Sequence, residues 1–144
     1  MKNHPKYKMI SAYYRGCNTQ NAALMTSTFT SDVIHYFVDH SAVSGAEGLA
    51  NYWCRVATLT KASWKIDHIL IKGDEAVIEW SMRWKPASEK KYELLRGTEW
   101  FIFRKEKIAE IRSYHCNFFL SDRANCQLHD FDYVGRGYSV LSQR

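Results

Sequence analysis

The stretch that decides the fold is GTEWFIF, residues 97–103, followed after a short charged turn by KIAEIRSY, residues 107–114. Two such segments, rich in aromatic and β-branched residues and joined by a tight polar turn, are typical of a β-hairpin. Successive side chains of a strand point to opposite faces, so Glu99 shares one face with Phe101 and Phe103. The hairpin therefore carries a carboxyl group beside two phenylalanines.

Further strands precede this hairpin. Residues 64–71 and 76–84 are predicted strands on either side of a turn at 72–74, and residues 92–104 and 108–114 continue an antiparallel meander. The strand over 76–84 alternates strictly. Four of its large apolar side chains share one face, which we expect to be the inner one: Ile78, Trp80, Met82 and Trp84. Glu79 and Arg83 lie on the opposite face.

The front of the chain is predicted to be mainly helical. Apolar residues recur at helical spacing over residues 6–23, a break at 18–21 restarts a short helix over 24–29, and residues 46–59 carry a second apolar stripe. Residues 32–38 are a strand candidate. Helices followed by a long meander indicate an α+β fold in which the helices cover the concave face of the sheet. A pocket is expected between the two layers.

The composition indicates one globular domain over residues 1–144. Hydrophobic residues make up 46% of the chain and charged residues 24%, and the 5 Trp, 9 Tyr and 7 Phe exceed what a minimal core needs. The net charge is +5, but the basic stretches are short and interrupted by acids, so we expect no nucleic-acid partner. No membrane span or export signal is seen, which favours a cytoplasmic protein with no membrane partner and with its four cysteines reduced.

These motifs resemble those of SnoaL-like proteins in the nuclear transport factor 2-like superfamily. Besides the 97–114 hairpin, the resemblance rests on TSDVIH (residues 30–35) at the start of the first strand and on a loop containing Gly45, and it covers residues 7–116. Residues 117–144 form a C-terminal extension, whose later part resembles a tail found on some bacterial members. The resemblance implies a cone-shaped α+β barrel with a strongly curved, mainly antiparallel sheet, often dimeric, with an apolar pocket.

The resemblance also suggests catalytic residues. Against the ketosteroid isomerase pattern, Tyr13 and Glu99 match the two side chains that donate hydrogen bonds to the substrate oxyanion. Phe37 falls where the isomerase has its general base and cannot accept a proton. His35 lies two residues earlier on the same face, and an imidazole is a competent base near neutral pH. We therefore predict His35, Glu99 and Tyr13 as catalytic residues.

Each of these residues also has a structural interpretation. His35 and Tyr13 could be satisfied core residues, and Glu99 could pair with Arg96 or Arg112. The predicted wall of the pocket is mostly aromatic, and its substrate-binding candidates are Phe37, Trp53, Trp80, Met82, Trp84, Phe101 and His115. No spacing of His, Cys or carboxylate residues indicates a metal site, and no glycine-rich phosphate loop follows a strand, so no metal and no cofactor are expected.

Two functions remain open from the sequence. The first is a small cofactor-independent enzyme of isomerase, cyclase or dehydratase type, acting by proton transfer on a hydrophobic carbonyl-bearing metabolite. The second is a non-catalytic module that binds a small molecule or assembles with a partner. A homodimer is expected in either case, because Trp100, Ile102 and Tyr114 leave an apolar outer surface on the sheet.

Overall fold

The computed structural model describes residues 1–87, 90–115 and 128–138. Cys116, Cys126 and most of the C-terminal extension lie outside the described residues. The helices are α1 (Pro5–Thr19), α2 (Ala22–Thr28) and α3 (Ala46–Thr60). The strands are β1 (Phe29–Phe37), β2 (Val43–Ser44), β3 (Ser63–Lys72), β4 (Glu75–Trp84), β5 (Glu93–Arg104) and β6 (Lys107–Tyr114).

The six strands form one curved sheet in the order β2-β1-β6-β5-β4-β3, with the three helices packed on it. The antiparallel meander from β3 to β6 is confirmed. The exception to antiparallel pairing is β1, which runs parallel to β6. The predicted α+β cone is therefore confirmed, but the sheet is open, with β2 and β3 at its edges, and does not close into a barrel.

The helix boundaries follow from local capping. Gln20 adopts a left-handed conformation with φ of 49° and ends α1 at Thr19, within the predicted break at residues 18–21. Asn21 then caps α2, its side chain accepting a hydrogen bond from the backbone N–H of Leu24 at 2.9 Å. Phe29 is extended, and β1 therefore begins three residues before the predicted strand.

The predicted alternation of strand faces is confirmed. On β4, Trp80 and the other large apolar side chains are buried, whereas Glu79 and Arg83 are exposed. On β5, Glu99 is buried together with Phe101 and Phe103. The helices cover this inner face, and the main hydrophobic core lies between the two layers.

Gly97 on β5 allows a close approach of the neighbouring strand's side chain. It pairs with Trp80 of β4, and the indole ring lies across the glycine. A Cβ added at residue 97 would lie 2.4 Å from the Cζ2 atom of Trp80. The position therefore requires glycine for steric reasons.

A second, smaller core lies where the described part of the C-terminal extension meets β1. Leu128 and Phe131 pack with Tyr36 and Val38, and Arg136 donates two hydrogen bonds to the Glu110 carboxylate, at 2.9 and 3.0 Å. The same segment forms hydrogen bonds with both ends of the loop that connects β1 to β2. The backbone N–H of residue 129 donates to the carbonyl of residue 37 at 2.7 Å, and Asp130 accepts from the N–H of Ala42 at 2.8 Å.

Within the described residues, every helix is too short or too polar to cross a membrane.

Candidate functional site

A cavity of about 190 Å³ opens between α3 and the inner face of the sheet. Its wall is mostly aromatic, and five of its polar residues form two sets, to which Thr60 and His115 do not belong. We call Glu99 and Ser113, both buried, the inner pole, and Asp39, His40 and Tyr52 the outer pole, where the His40 side chain is 34% exposed. The cavity is therefore apolar along its sides and polar in two separate places.

The Glu99 carboxyl group is held by two hydrogen bonds. The Tyr14 hydroxyl, from α1, donates to Oε2 at 2.9 Å, and the Ser113 hydroxyl donates to Oε1 at 2.7 Å. Ser113 is positioned by strand register, since it lies directly opposite Glu99 on the neighbouring strand β6. Both alternatives with an arginine partner are wrong, because Arg96 donates to Ser81 and Arg112 to Glu110.

Burial decides the protonation of Glu99. Removal from water raises the pKa of this carboxyl to about 7, although the hydrogen bonds from Ser113 and Tyr14 act in the opposite direction. Burial likewise raises the pKa of the Tyr14 phenol well above its usual value, so Tyr14 remains a donor. The inner pole thus contains a carboxyl group whose pKa lies near neutral pH.

His35 lies behind the inner pole. Its Nε2 is 2.7 Å from the Ser113 hydroxyl and 3.8 Å from Glu99 Oε1, and its ring stacks on Phe37 with centroids 4.0 Å apart. It is fully buried and is not among the described residues that line the cavity. Burial, with smaller contributions from His40 and His115, keeps its pKa well below the usual value. His35 therefore contacts Glu99 through Ser113 and does not reach the ligand space predicted for it.

Tyr13, predicted to donate a hydrogen bond to a substrate oxyanion, is not among the described residues that line this cavity. Tyr13 is buried in the core, where its ring packs edge-on against Phe29 and Phe101, and the neighbouring Tyr14 holds Glu99. Consecutive helix residues differ by about 100° in direction, so both tyrosines can be buried while one alone reaches the carboxyl. Phe101, predicted to bind substrate, is likewise in the core beneath the cavity and is not part of its described lining.

The other predicted wall residues do border the cavity. They are Phe37, Trp53, Trp80, Met82, Trp84 and His115. The His115 ring lies edge-on to Trp80 with centroids 5.2 Å apart. Burial lowers the pKa of His115, and attraction to Asp39 offsets part of that effect, so its imidazole is neutral near pH 7.

The sequence reasoning missed the outer pole and Ser113. Tyr52 donates to or accepts from His40 Nε2 at 2.8 Å, and Asp39 Oδ1 lies 3.7 Å from the same nitrogen. Tyr52 shares the apolar stripe of α3 with Trp53, a signal that could have placed it at the cavity. Among the described residues, no group of three or more His, Cys, Asp or Glu side chains could hold a metal ion.

Comparison with known proteins places the chain among proteins of this architecture. Residues 10–111 match the model of the SnoaL-like domain. A solved protein of unknown function with a cystatin-like fold, from Methylobium petroleophilum PM1, is 33% identical, with 97% of this chain and 94% of that chain covered and a TM-score of 0.81. No curated protein matches the chain.

More distant structures share the fold alone. A protein with a ketosteroid isomerase-like fold from Catenulispora acidiphila, solved with trimethylamine, is 14% identical, with a TM-score of 0.70 over 78% of this chain and 88% of its own. An LEH-like epoxide hydrolase from M. tuberculosis is also 14% identical, with a TM-score of 0.68 over 81% of this chain and 86% of its own.

Proposed function

This chain belongs to the SnoaL-like family, and we propose that it is a cofactor-independent enzyme that transfers a proton on a hydrophobic, carbonyl-bearing metabolite. Isomerisation, cyclisation and dehydration are the reaction types that such a transfer serves. One observation carries the proposal: the Glu99 carboxyl borders an apolar cavity with a pKa of about 7. A group with this pKa can both accept and return a proton at neutral pH.

The proposed step uses Glu99 as the proton carrier. Its carboxylate removes a proton from the carbon next to the ligand carbonyl, the electron pair of the broken C–H bond forms a C=C bond, and the π pair of the carbonyl moves to its oxygen. The resulting acid then returns the proton to carbon. His115, whose imidazole also borders the cavity, is available to donate a hydrogen bond to the oxyanion.

The neighbours of Glu99 keep the proton where it is needed. The Tyr14 hydroxyl fixes Oε2 of the carboxyl. His35, expected to be the base, acts instead through Ser113: when Glu99 is ionised, His35 Nε2 donates to the hydroxyl that donates to Glu99. Because burial holds the pKa of His35 low, a proton on Glu99 is not lost through Ser113 to the imidazole.

The proposal is tested by exchange of carbon-bound hydrogen. β-Tetralone, an apolar two-ring ketone with acidic α-hydrogens, is incubated with the protein in D₂O, and the loss of its α-proton signal is followed by NMR. The wild-type protein should accelerate the exchange over buffer, and Glu99→Gln should slow it at least about a hundredfold, the lower range for general acid–base catalysis. Glu79→Gln is the matched control, since Glu79 is exposed on the outer face of β4.

Two results would contradict the proposal. Exchange no faster than in buffer, with the ketone still bound, would favour the alternative function, a non-catalytic binding module. Exchange that survives Glu99→Gln unchanged would show that another group carries the proton.

A further inference from the structure

The hydrogen bonds of the outer pole determine which of its groups donate and which accept. His40 Nδ1 lies 2.9 Å from the carbonyl oxygen of Ser41, which can only accept, so Nδ1 carries a proton. In the neutral imidazole the other nitrogen, Nε2, is then an acceptor. The Tyr52 hydroxyl, 2.8 Å away, therefore donates its single proton to His40.

Tyr52 is left with acceptor capacity alone. Its proton is committed to His40, and burial raises its pKa to about 12, so it remains a neutral phenol. The other oxygen group at this end is the Asp39 carboxyl, whose side chain is 8% exposed and which also borders the cavity. A ligand group that binds between these oxygens must donate a hydrogen bond.

Phe37 separates the two poles. Its ring stacks on His35 and lies tilted by 31° against His40, with 4.0 Å between centroids in each case. His35 lies against the inner pole, 3.8 Å from Glu99, and His40 belongs to the outer pole. The space between them is bordered by Phe37 and the tryptophans, so a ligand that reaches both poles is apolar in its middle part.

We propose that the outer pole binds a hydroxyl group of the substrate through Tyr52 and Asp39, so that the substrate class is an apolar ketone with a hydroxyl at the end remote from its carbonyl. The inference rests on the proposed function in one respect, that the carbonyl end lies at Glu99. It goes further by assigning the opposite end of the same cavity and the direction of its hydrogen bond.

Three matched ligands test the inference by equilibrium dialysis at constant pH. They are acetylnaphthalene, its analogue with a hydroxyl on the far ring, and the methyl ether of that analogue. The hydroxyl compound should bind the wild-type protein about fivefold more tightly than the unsubstituted ketone, the usual gain from one net hydrogen bond. The ether, which accepts but cannot donate, should show no gain.

Variants assign the effect to the outer pole. Tyr52→Phe should reduce the ratio of the two affinities, hydroxyl compound over unsubstituted ketone, towards one. Tyr92→Phe is the control, since Tyr92 lies over Arg83, away from the cavity. His40→Leu frees the Tyr52 hydroxyl to donate, and in this variant the ether should bind more tightly than the unsubstituted ketone.

Each contrary result has its own meaning. Equal affinity of the wild-type protein for the ketone and its hydroxyl analogue overturns this inference and leaves the proton-transfer proposal standing, as does an undiminished preference in Tyr52→Phe. Binding of none of the three ligands overturns the inference together with the proposed ligand class. A preference for the hydroxyl compound without any β-tetralone exchange supports the outer pole and removes only the catalytic proposal.

Discussion

Replacing Glu99 with glutamine is expected to remove a pH-dependent part of the free energy of unfolding. The carboxyl has an ordinary pKa of 4.5 when the chain is unfolded and about 7 when it is buried in the folded protein. Between these values the folded state keeps a proton that the unfolded state has released, so the folded state loses stability as the pH rises from 4.5 to 7. A difference of about 2.5 pH units corresponds to about 3 kcal/mol.

The glutamine variant keeps the shape of the site. Its amide can accept from Tyr14 and donate to Ser113, whose hydroxyl then donates to His35 Nε2. The imidazole proton then lies on Nδ1. Chemical denaturation of the wild type and the variant at several pH values between 4 and 8 gives the two stability curves. The wild type should lose about 3 kcal/mol relative to the variant over this range.

The comparison with the variant is needed because other groups titrate in the same range. Burial lowers the pKa values of His35 and His115. Each histidine therefore destabilises the folded protein as the pH falls below the ordinary histidine pKa, whereas Glu99 destabilises it as the pH rises. These contributions are common to both proteins and largely cancel in the difference. Glu79→Gln should follow the wild-type curve. Parallel curves for wild type and Glu99→Gln would mean that Glu99 is ionised in the folded protein at pH 5, and the reasoning on burial would be refuted.

Three further predictions concern packing and assembly. Trp80→Ala should lower the free energy of unfolding by about 3 to 5 kcal/mol, because the indole is buried on the inner face; a loss below about 1 kcal/mol in urea denaturation would contradict this. Gly97→Ala should lower the free energy of unfolding by about 1 to 3 kcal/mol, because the new Cβ clashes with Trp80. If the clash is the cause, the loss should largely disappear when Gly97→Ala is introduced into a Trp80→Leu protein. We also expect a homodimer through the outer face of the sheet, where Trp100 and Tyr114 are 37% and 39% exposed. Sedimentation should give twice the chain mass for the wild type and one chain mass for Trp100→Lys. A wild-type monomer at tens of micromolar would contradict this expectation.

The sheet could be predicted from the sequence because its signal is local. Alternation with a period of two placed Glu99 and Trp80 on the inner face and Glu79 outside, and the structure confirms each. The face on which a side chain lies does not, however, show whether that side chain reaches the cavity or stays in the core beneath it. Phe101 and His35 point inward as expected, but they lie beneath the cavity wall and do not form part of it.

The contacts that the sequence did not reveal join distant parts of the chain. Ser113 meets His35 because β6 runs beside β1, a pairing that no local pattern indicates. Asp39 and His40 follow β1 in a connection that is bonded to residues 129 and 130. Tyr13 and Tyr14 are adjacent in the sequence and have nearly the same sequence neighbours. Which of them reaches Glu99 therefore depends on how α1 is rotated about its axis against the sheet.

The parallel pairing of β1 with β6 also orders the events of biosynthesis. His35 and Ser113 are 78 positions apart, so the ribosome must complete and release β6 before the hydrogen bonds between these residues can form. The hairpins β3–β4, β4–β5 and β5–β6 join neighbouring segments and have much smaller loops to close. A nascent chain can thus pair β3, β4 and β5 while β1, the strand that carries His35, still lacks β6. The hydrogen bonds that hold Glu99 are complete only once β6 has brought Ser113 beside it.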